Sequence, residues 1–181
     1  MAWWDDRGVL VRPAGVGDVE QVAEVHVLSW QVGYRGLLSQ SLLDGLRAVQ
    51  RVPRWTAVVG QAAWPGRGVL VADDGGEVVG FASLYPSADL DQDSSGVGEV
   101  GSFYVLPAAW GRGVGGQLMA AALRTFGAAG FTSATLWVLD TNTRAIGFYA
   151  HRGWEPDGAV RDDAVGGITV RDLRYQRTLT G

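Results

Sequence analysis

The chain of 181 residues contains no cysteine, so no cysteinyl thioester can form on the protein. Lysine is absent as well. That removes the residue with which a Walker loop reaches terminal phosphates, and it excludes self-modification on lysine amines. An all-arginine cationic set points to a GC-rich coding sequence more than to any function. No apolar run is long enough to span a membrane, and the acidic opening M-A-W-W-D-D-R-G lacks the apolar core of a signal peptide. A cytoplasmic protein with no membrane partner is therefore expected. A net charge of −4 without a basic cluster argues against nucleic acid. No linker or internal repeat breaks the chain, and a 47% hydrophobic composition suits one domain over residues 1–181.

What the chain does have is a glycine-rich turn, S-F-Y-V-L-P-A-A-W-G-R-G-V-G-G-Q-L-M, from Ser102 to Met119. Phe103, Tyr104 and Val105 favour a strand, and Pro107 ends it because it cannot donate to a ladder. Leu118, Met119, Ala122, Leu123 and Phe126 then recur at helical spacing, which sets Gly111, Gly113, Gly115 and Gly116 at a helix N-terminus. The first N–H groups of a helix lack partners within it and lie at the positive end of its dipole, so bare glycine backbone here suits a pyrophosphate. Gly111, Gly113 and Gly116 also fit a dinucleotide G-x-G-x-x-G, with Asp140 near the place of a ribose-binding acid. Against that reading, Leu106 to Trp110 separate the first glycine from its strand, and too little chain follows for further βαβ units.

A second motif, N-T-R-A-I-G-F-Y-A-H-R-G-W, runs from Asn142 to Trp154 after the apolar strand Ala134 to Leu139. Together the two motifs resemble the GNAT superfamily of N-acyltransferases, whose acyl-CoA loop reads Q/R-x-x-G-x-G/A and whose later helix reads N-x-x-A-x-x-F-Y-x-x-x-G-F. The loop matches as Trp110-x-x-Gly113-x-Gly115, and the helix at Asn142, Ala145, Phe148, Tyr149 and Gly153. Trp110 departs from the pattern where a polar side chain would touch the cofactor, and Trp154 replaces Phe at a core position. The resemblance implies an α/β (α+β) fold with a mixed, largely antiparallel sheet flanked by helices and a splayed parallel strand pair at the acyl-CoA site.

It further implies N-acetyl transfer from acetyl-CoA to a small amine or a peptide amine, with a homodimer left open. Phe103, Tyr104 and Val105 would run beside the pantetheine arm, and their backbone N–H groups would polarise the acyl carbonyl. Trp110, Gly111, Arg112, Gly113, Val114, Gly115, Gly116 and Asn142 complete the implied cofactor site, with Arg112 adding a charge-assisted contact to phosphate. Glu99 stands where a catalytic Glu precedes the loop in GNAT histone acetyltransferases and is the implied base. About 13 Å of extended strand separates it from Phe103, so it would act through water. Tyr149 is the implied acid. A catalytically silent acyl-CoA-binding module is the alternative, and a nicotinamide-dinucleotide enzyme a more distant one.

In chain order, Gly8 to Arg12 forms a strand ended by Pro13. Asp18 with Gln21 resembles a capping box, after which Val19, Val22, Ala23, His26, Val27 and Trp30 share a helical face. His26 is taken as packed rather than catalytic, and His151 likewise. From Ser29 to Leu46, glycines punctuate two helical patterns. Trp30, Tyr34 and Arg35 there either form an acceptor pocket or belong to the core, and both readings stay open. Residues 47 to 66 show no assignable pattern. Gly68 to Ala72 and Val78 to Tyr85 are strands around D-D-G-G, a hairpin signal. Asp89, Asp91 and Asp93 open like a calcium loop, but Ser94 and Val100 stand where that loop needs Gly and Glu. A solvated loop is expected, with attraction of an amine as the functional alternative. Val97 to Val105 is a strand in which Gly98 and Gly101 mark a bulge or a close approach. Trp154 to Val160 and Ile168 to Leu179 close the sheet.

Overall fold

The computed structural model describes residues 3–4 and 8–179, so most of the opening segment on which the signal-peptide expectation rests lies outside it. Eight strands form one sheet: β1 (Trp3–Trp4), β2 (Val9–Pro13), β3 (Gly68–Asp74), β4 (Glu77–Pro86), β5 (Val97–Val105), β6 (Ser133–Leu139), β7 (Glu155–Val165) and β8 (Ile168–Thr178). Their order is β1-β2-β3-β4-β5-β6-β8-β7, and β5–β6 is the parallel pair in an otherwise antiparallel ladder. This is the mixed sheet expected. Gly75 and Gly76, with φ of 66° and 98°, make the D-D-G-G turn, because both central residues of such a hairpin need positive φ.

Helices cover both faces, which is why β3 is buried along Val69 to Ala72 instead of alternating with polar residues. Val69, Val71 and Phe81 pack under α1 (Val19–Gly33) and α3 (Val52–Gly60), in a cluster with Val22, Trp55 and Val59. Leu70, Ala72 and Leu84 face the other way, toward Leu118, Met119 and Phe126 of α4 (Val114–Ala128), with Phe148 of α5 (Thr143–Ala150) at the margin. A smaller cluster joins Val27 of α1 to Leu43 of α2 (Gln40–Gly45). Trp154 is only 1% exposed, the core position expected.

Three local expectations need correction. The capping box at Asp18 and Gln21 is not made. Asp18 accepts from the Gly15 N–H at 2.7 Å and pairs with Arg12 at 2.8 Å, while Gln21 crosses to β4 and accepts from the Val78 N–H at 2.8 Å. The neighbouring guanidinium wins the carboxylate and holds it below the usual carboxylate range. Residues 47 to 66 contain α3, whose buried stripe is just Trp55 and Val59, one turn apart, behind a proline in its first turn. So short a stripe leaves no period to detect. Its Trp55 Nε1–H donates to Nδ1 of buried His26 at 3.1 Å, and His26 stacks on Tyr104 with ring centroids 5.1 Å apart. Burial, with Arg51 and Arg54 nearby, pushes His26 down to about 3, so it is neutral packing as expected.

The aspartate loop is the third correction. Asp89 is largely buried, and Asp91, though its side chain stays exposed to water, is held in an ion pair. With Asp157 of β7 they surround Arg174 of β8, at 3.0, 2.6 and 2.6 Å. Asp93 alone stays in its own loop, accepting from the Ser95 N–H at 2.9 Å.

Candidate active site

The site begins where two parallel strands part. Val97 to Val100 pair with Ser133 to Leu136, and beyond Val100 the pairing of β5 with β6 stops. On the other edge Ser102 pairs with Ser83 but Val100 pairs with Leu84, so Gly101 is an extra residue, a bulge. The bulge reverses the phase of the strand. Val100 belongs to the α4 side, as do Phe103 and Val105, whereas Tyr104 stacks on His26 of α1. Glu99 therefore lies on the opposite face from Phe103. Both marked glycines are close approaches too: a Cβ on Gly101 would collide with the Tyr85 hydroxyl, and one on Gly98 would overlap the Phe126 ring.

Past the bulge, β5 offers backbone to the gap. The Leu106 N–H donates to Val79 of β4, and ladder direction alternates, so Phe103 and Val105 turn their polar groups toward the splay. The Val105 carbonyl is already used there. It accepts from Trp110 Nε1 at 2.8 Å and from Ser29 Oγ at 3.3 Å.

The glycine turn then meets α4 as expected. Gly113 is the N-cap, with φ of 84°, and Gly111 has φ of 75°, a left-handed conformation that side chains with a Cβ resist. Gly115 and Gly116 sit in the first helical turn, where a Cβ would press on Phe148 and on the Arg152 guanidinium respectively. Valine at 113 would both strain the backbone and fill the approach to the free N–H groups. Gly113→Val is accordingly expected to weaken CoA binding about tenfold or more, measured by calorimetry, and unchanged binding would refute an anion cradle.

The cleft above this turn has a volume of about 520 Å³. Of the expected cofactor residues, Phe103, Tyr104, Val105, Trp110, Gly111, Gly113, Val114, Gly115, Gly116 and Asn142 line it. Arg112 does not. Its guanidinium pairs instead with Asp74 at the end of β3, at 2.7 Å, on the solvent side of the loop. Asn142 also caps α5, accepting from the Ala145 N–H at 3.1 Å.

The acceptor residues divide as well. Tyr34 and Tyr149 line the cleft, but Trp30 does not, packing instead between His26 and Tyr34 with centroids 5.6 and 4.9 Å away. Tyr149 is buried against Phe103, Phe148 and Trp154. Burial, with the Tyr104 hydroxyl nearby, pushes its own hydroxyl above the ordinary tyrosine range, so it remains protonated throughout the neutral range.

Glu99 stands back from the cleft lining, buried, and accepts from the Tyr85 hydroxyl at 3.1 Å. Burial first, then the Asp89 charge, raises its carboxyl above the usual range. Among the polar and aromatic side chains that line the cleft, sequence reasoning missed Ser29, Trp137, Arg144 and Arg152. The two arginines stand inside the matched helix motif, on its positions of free choice, where pattern matching carries no signal. Trp137 Nε1–H donates to Asp89 at 3.1 Å, which couples this wall to the aspartate loop.

A splayed parallel pair facing a glycine-capped helix defines an acyltransferase fold, and comparison with known proteins agrees. Residues 38–154 match the acetyltransferase (GNAT) family, and the chain belongs to that family. It is 28% identical over 167 residues to the uncharacterised N-acetyltransferase YuaI of Bacillus subtilis (strain 168), which covers 91% of this chain and 90% of that one. The PaiA N-acetyltransferase of Thermoplasma acidophilum, solved in complex with coenzyme A, superposes with a TM-score of 0.73 at 18% identity over 94% of this chain and 98% of that chain. For yncA of Salmonella typhimurium, solved with its cofactor acetyl-CoA, the score is 0.68 at 19% identity, covering 96% of this chain and 95% of that one. At such identities the likeness is one of fold.

Proposed function

We propose that the protein moves an acetyl group from acetyl-CoA to a primary amine by direct transfer within one ternary complex. The observation that carries this reading is the splay past Val100, where β5 leaves backbone groups unpaired beside a left-handed glycine turn that caps α4. An extended pantetheine arm would take the place of the missing strand, and the cradle N–H groups would receive its pyrophosphate. The donor approaches from the α4 and α5 side, and the amine comes from the face that carries Glu99.

The chemistry then balances over named groups. Glu99, acting through water, takes the proton that an ammonium must lose before its nitrogen can attack. Backbone N–H groups near Phe103 to Val105 stabilise the oxyanion as the C–N bond forms. Tyr149 gives its proton to the sulfur as the C–S bond breaks, and recovers one from solvent. With no cysteine in the chain, no acyl group is parked on an enzyme thiol.

The reading is tested by free-thiol release from acetyl-CoA across a panel of peptides, aminoglycosides, polyamines and amino acids. Amine-dependent release is expected with at least one class. Tight CoA binding without release from any of them would identify a silent binding module instead.

Glu99 supplies a pH signature. Below its raised pKa the carboxyl is protonated and cannot act as a base, so transfer should rise with pH through that value. Glu99→Gln should remove this rise and lower turnover about a hundredfold near neutrality, recovering as the amine deprotonates by itself. An unchanged pH profile removes Glu99 from the site. Stability moves the other way. A raised carboxyl favours the folded state fully only below its unfolded pKa, and the benefit is lost as pH rises through the folded value. Glu99→Gln should therefore melt higher than the parent at neutral pH, with the difference vanishing in acid.

A further inference from the structure

We propose that Arg144, laid flat on Trp110, is the cation that receives the pyrophosphate at the glycine turn, in place of the loop's own Arg112. The proposal rests on the reading that CoA occupies this cleft. Its guanidinium carbon sits 3.2 Å from the centroid of the Trp110 ring, and both side chains line the cleft beside Gly111 and Gly113. Arg112, the cation expected there, is committed to Asp74. Among the described residues Arg144 makes no ion pair, and burial lowers its affinity for its proton. The guanidinium stands at the open side of the cleft with no countercharge, so it is available to an anion bound there.

The geometry suits a phosphate. A guanidinium stacked on an aromatic face keeps its in-plane N–H edge free, and that edge forks onto two phosphate oxygens. The platform cannot turn, because Trp110 Nε1–H is tied to the Val105 carbonyl at 2.8 Å. This accounts for tryptophan at the position where the family pattern has a polar residue: the loop supplies the surface and α5 supplies the charge. Arg152 is the contrasting case. It also lines the cleft, but it lies over Phe148 and already donates to the Phe148 carbonyl at 3.2 Å.

Calorimetry with CoA, dephospho-CoA and pantetheine tests the assignment on the parent, Arg144→Gln and Arg144→Lys. Arg144→Gln should bind CoA and dephospho-CoA about tenfold more weakly, one charge-assisted contact in a half-open site, while pantetheine binding stays unchanged. Arg144→Lys, which keeps the charge but loses the planar stack, should fall in between. A loss seen with CoA but absent with dephospho-CoA would move Arg144 to the phosphate monoester and overturn the proposal, as would an equal loss with pantetheine. Parent-like binding by both variants overturns it too, leaving the acetyl-CoA reading intact. A parent protein that binds none of the three ligands would instead sink that broader reading, and this one with it.

Discussion

Tyr149→Phe is expected to lower single-turnover acetyl transfer about a hundredfold while leaving CoA affinity and the melting temperature near those of the parent. Only a hydroxyl is lost. The ring contacts with Phe103, Phe148 and Trp154, at centroid distances of 6.3, 5.4 and 6.3 Å, survive the change. The lower end of the range for general acid catalysis applies for two reasons. Burial raises the Tyr149 hydroxyl above its ordinary value, so the group is always protonated but releases its proton reluctantly. A thiolate with a pKa near 8.5, like that of a free thiol, is also a tolerable leaving group without help. Single-turnover measurement is needed because slow product release would hide the chemical step. Transfer at the parent rate by a normally folded variant would make Tyr149 a packing residue.

Arg174→Met is expected to be the most damaging single change to stability. The Arg174 side chain is 5% exposed and donates to Asp157, itself 8% exposed, at 2.6 Å. It also holds Asp89 and Asp91, so one guanidinium fastens the segment between β4 and β5 to the β7–β8 hairpin. Removing it leaves the buried Asp157 carboxylate with the Ala159 N–H but without its countercharge, and breaking a buried pair in this way typically costs ~3–5 kcal/mol. For a domain of this size that is about 10 °C in melting temperature. Arg174→Met combined with Asp157→Leu should recover part of the loss, since the buried orphan charge goes with its partner. A variant that melts like the parent would return these aspartates to the role of a solvated loop.

The two motifs and the strand between them were legible in the sequence because their determinants are local. A strand that ends before Pro107, glycines that must adopt positive φ at 111 and 113, and an apolar period from Leu118 to Phe126 each express backbone geometry within a few residues. Gly101 was legible as a bulge for the same reason. The partners of the charged side chains were not. Arg174 meets Asp91 across 83 residues, Arg112 meets Asp74 across 38, and Arg144 finds Trp110 on another element. Long cationic arms bind whichever carboxylate, ring or phosphate the packed fold leaves within reach, and no sequence window holds both ends of such a contact. The sequence by itself determined the strand, turn and helix that make an acyl-CoA cradle. The tertiary structure alone decided which arginines brace the fold and which are left lining the cleft, because that choice depends on distances that exist only once the sheet has closed.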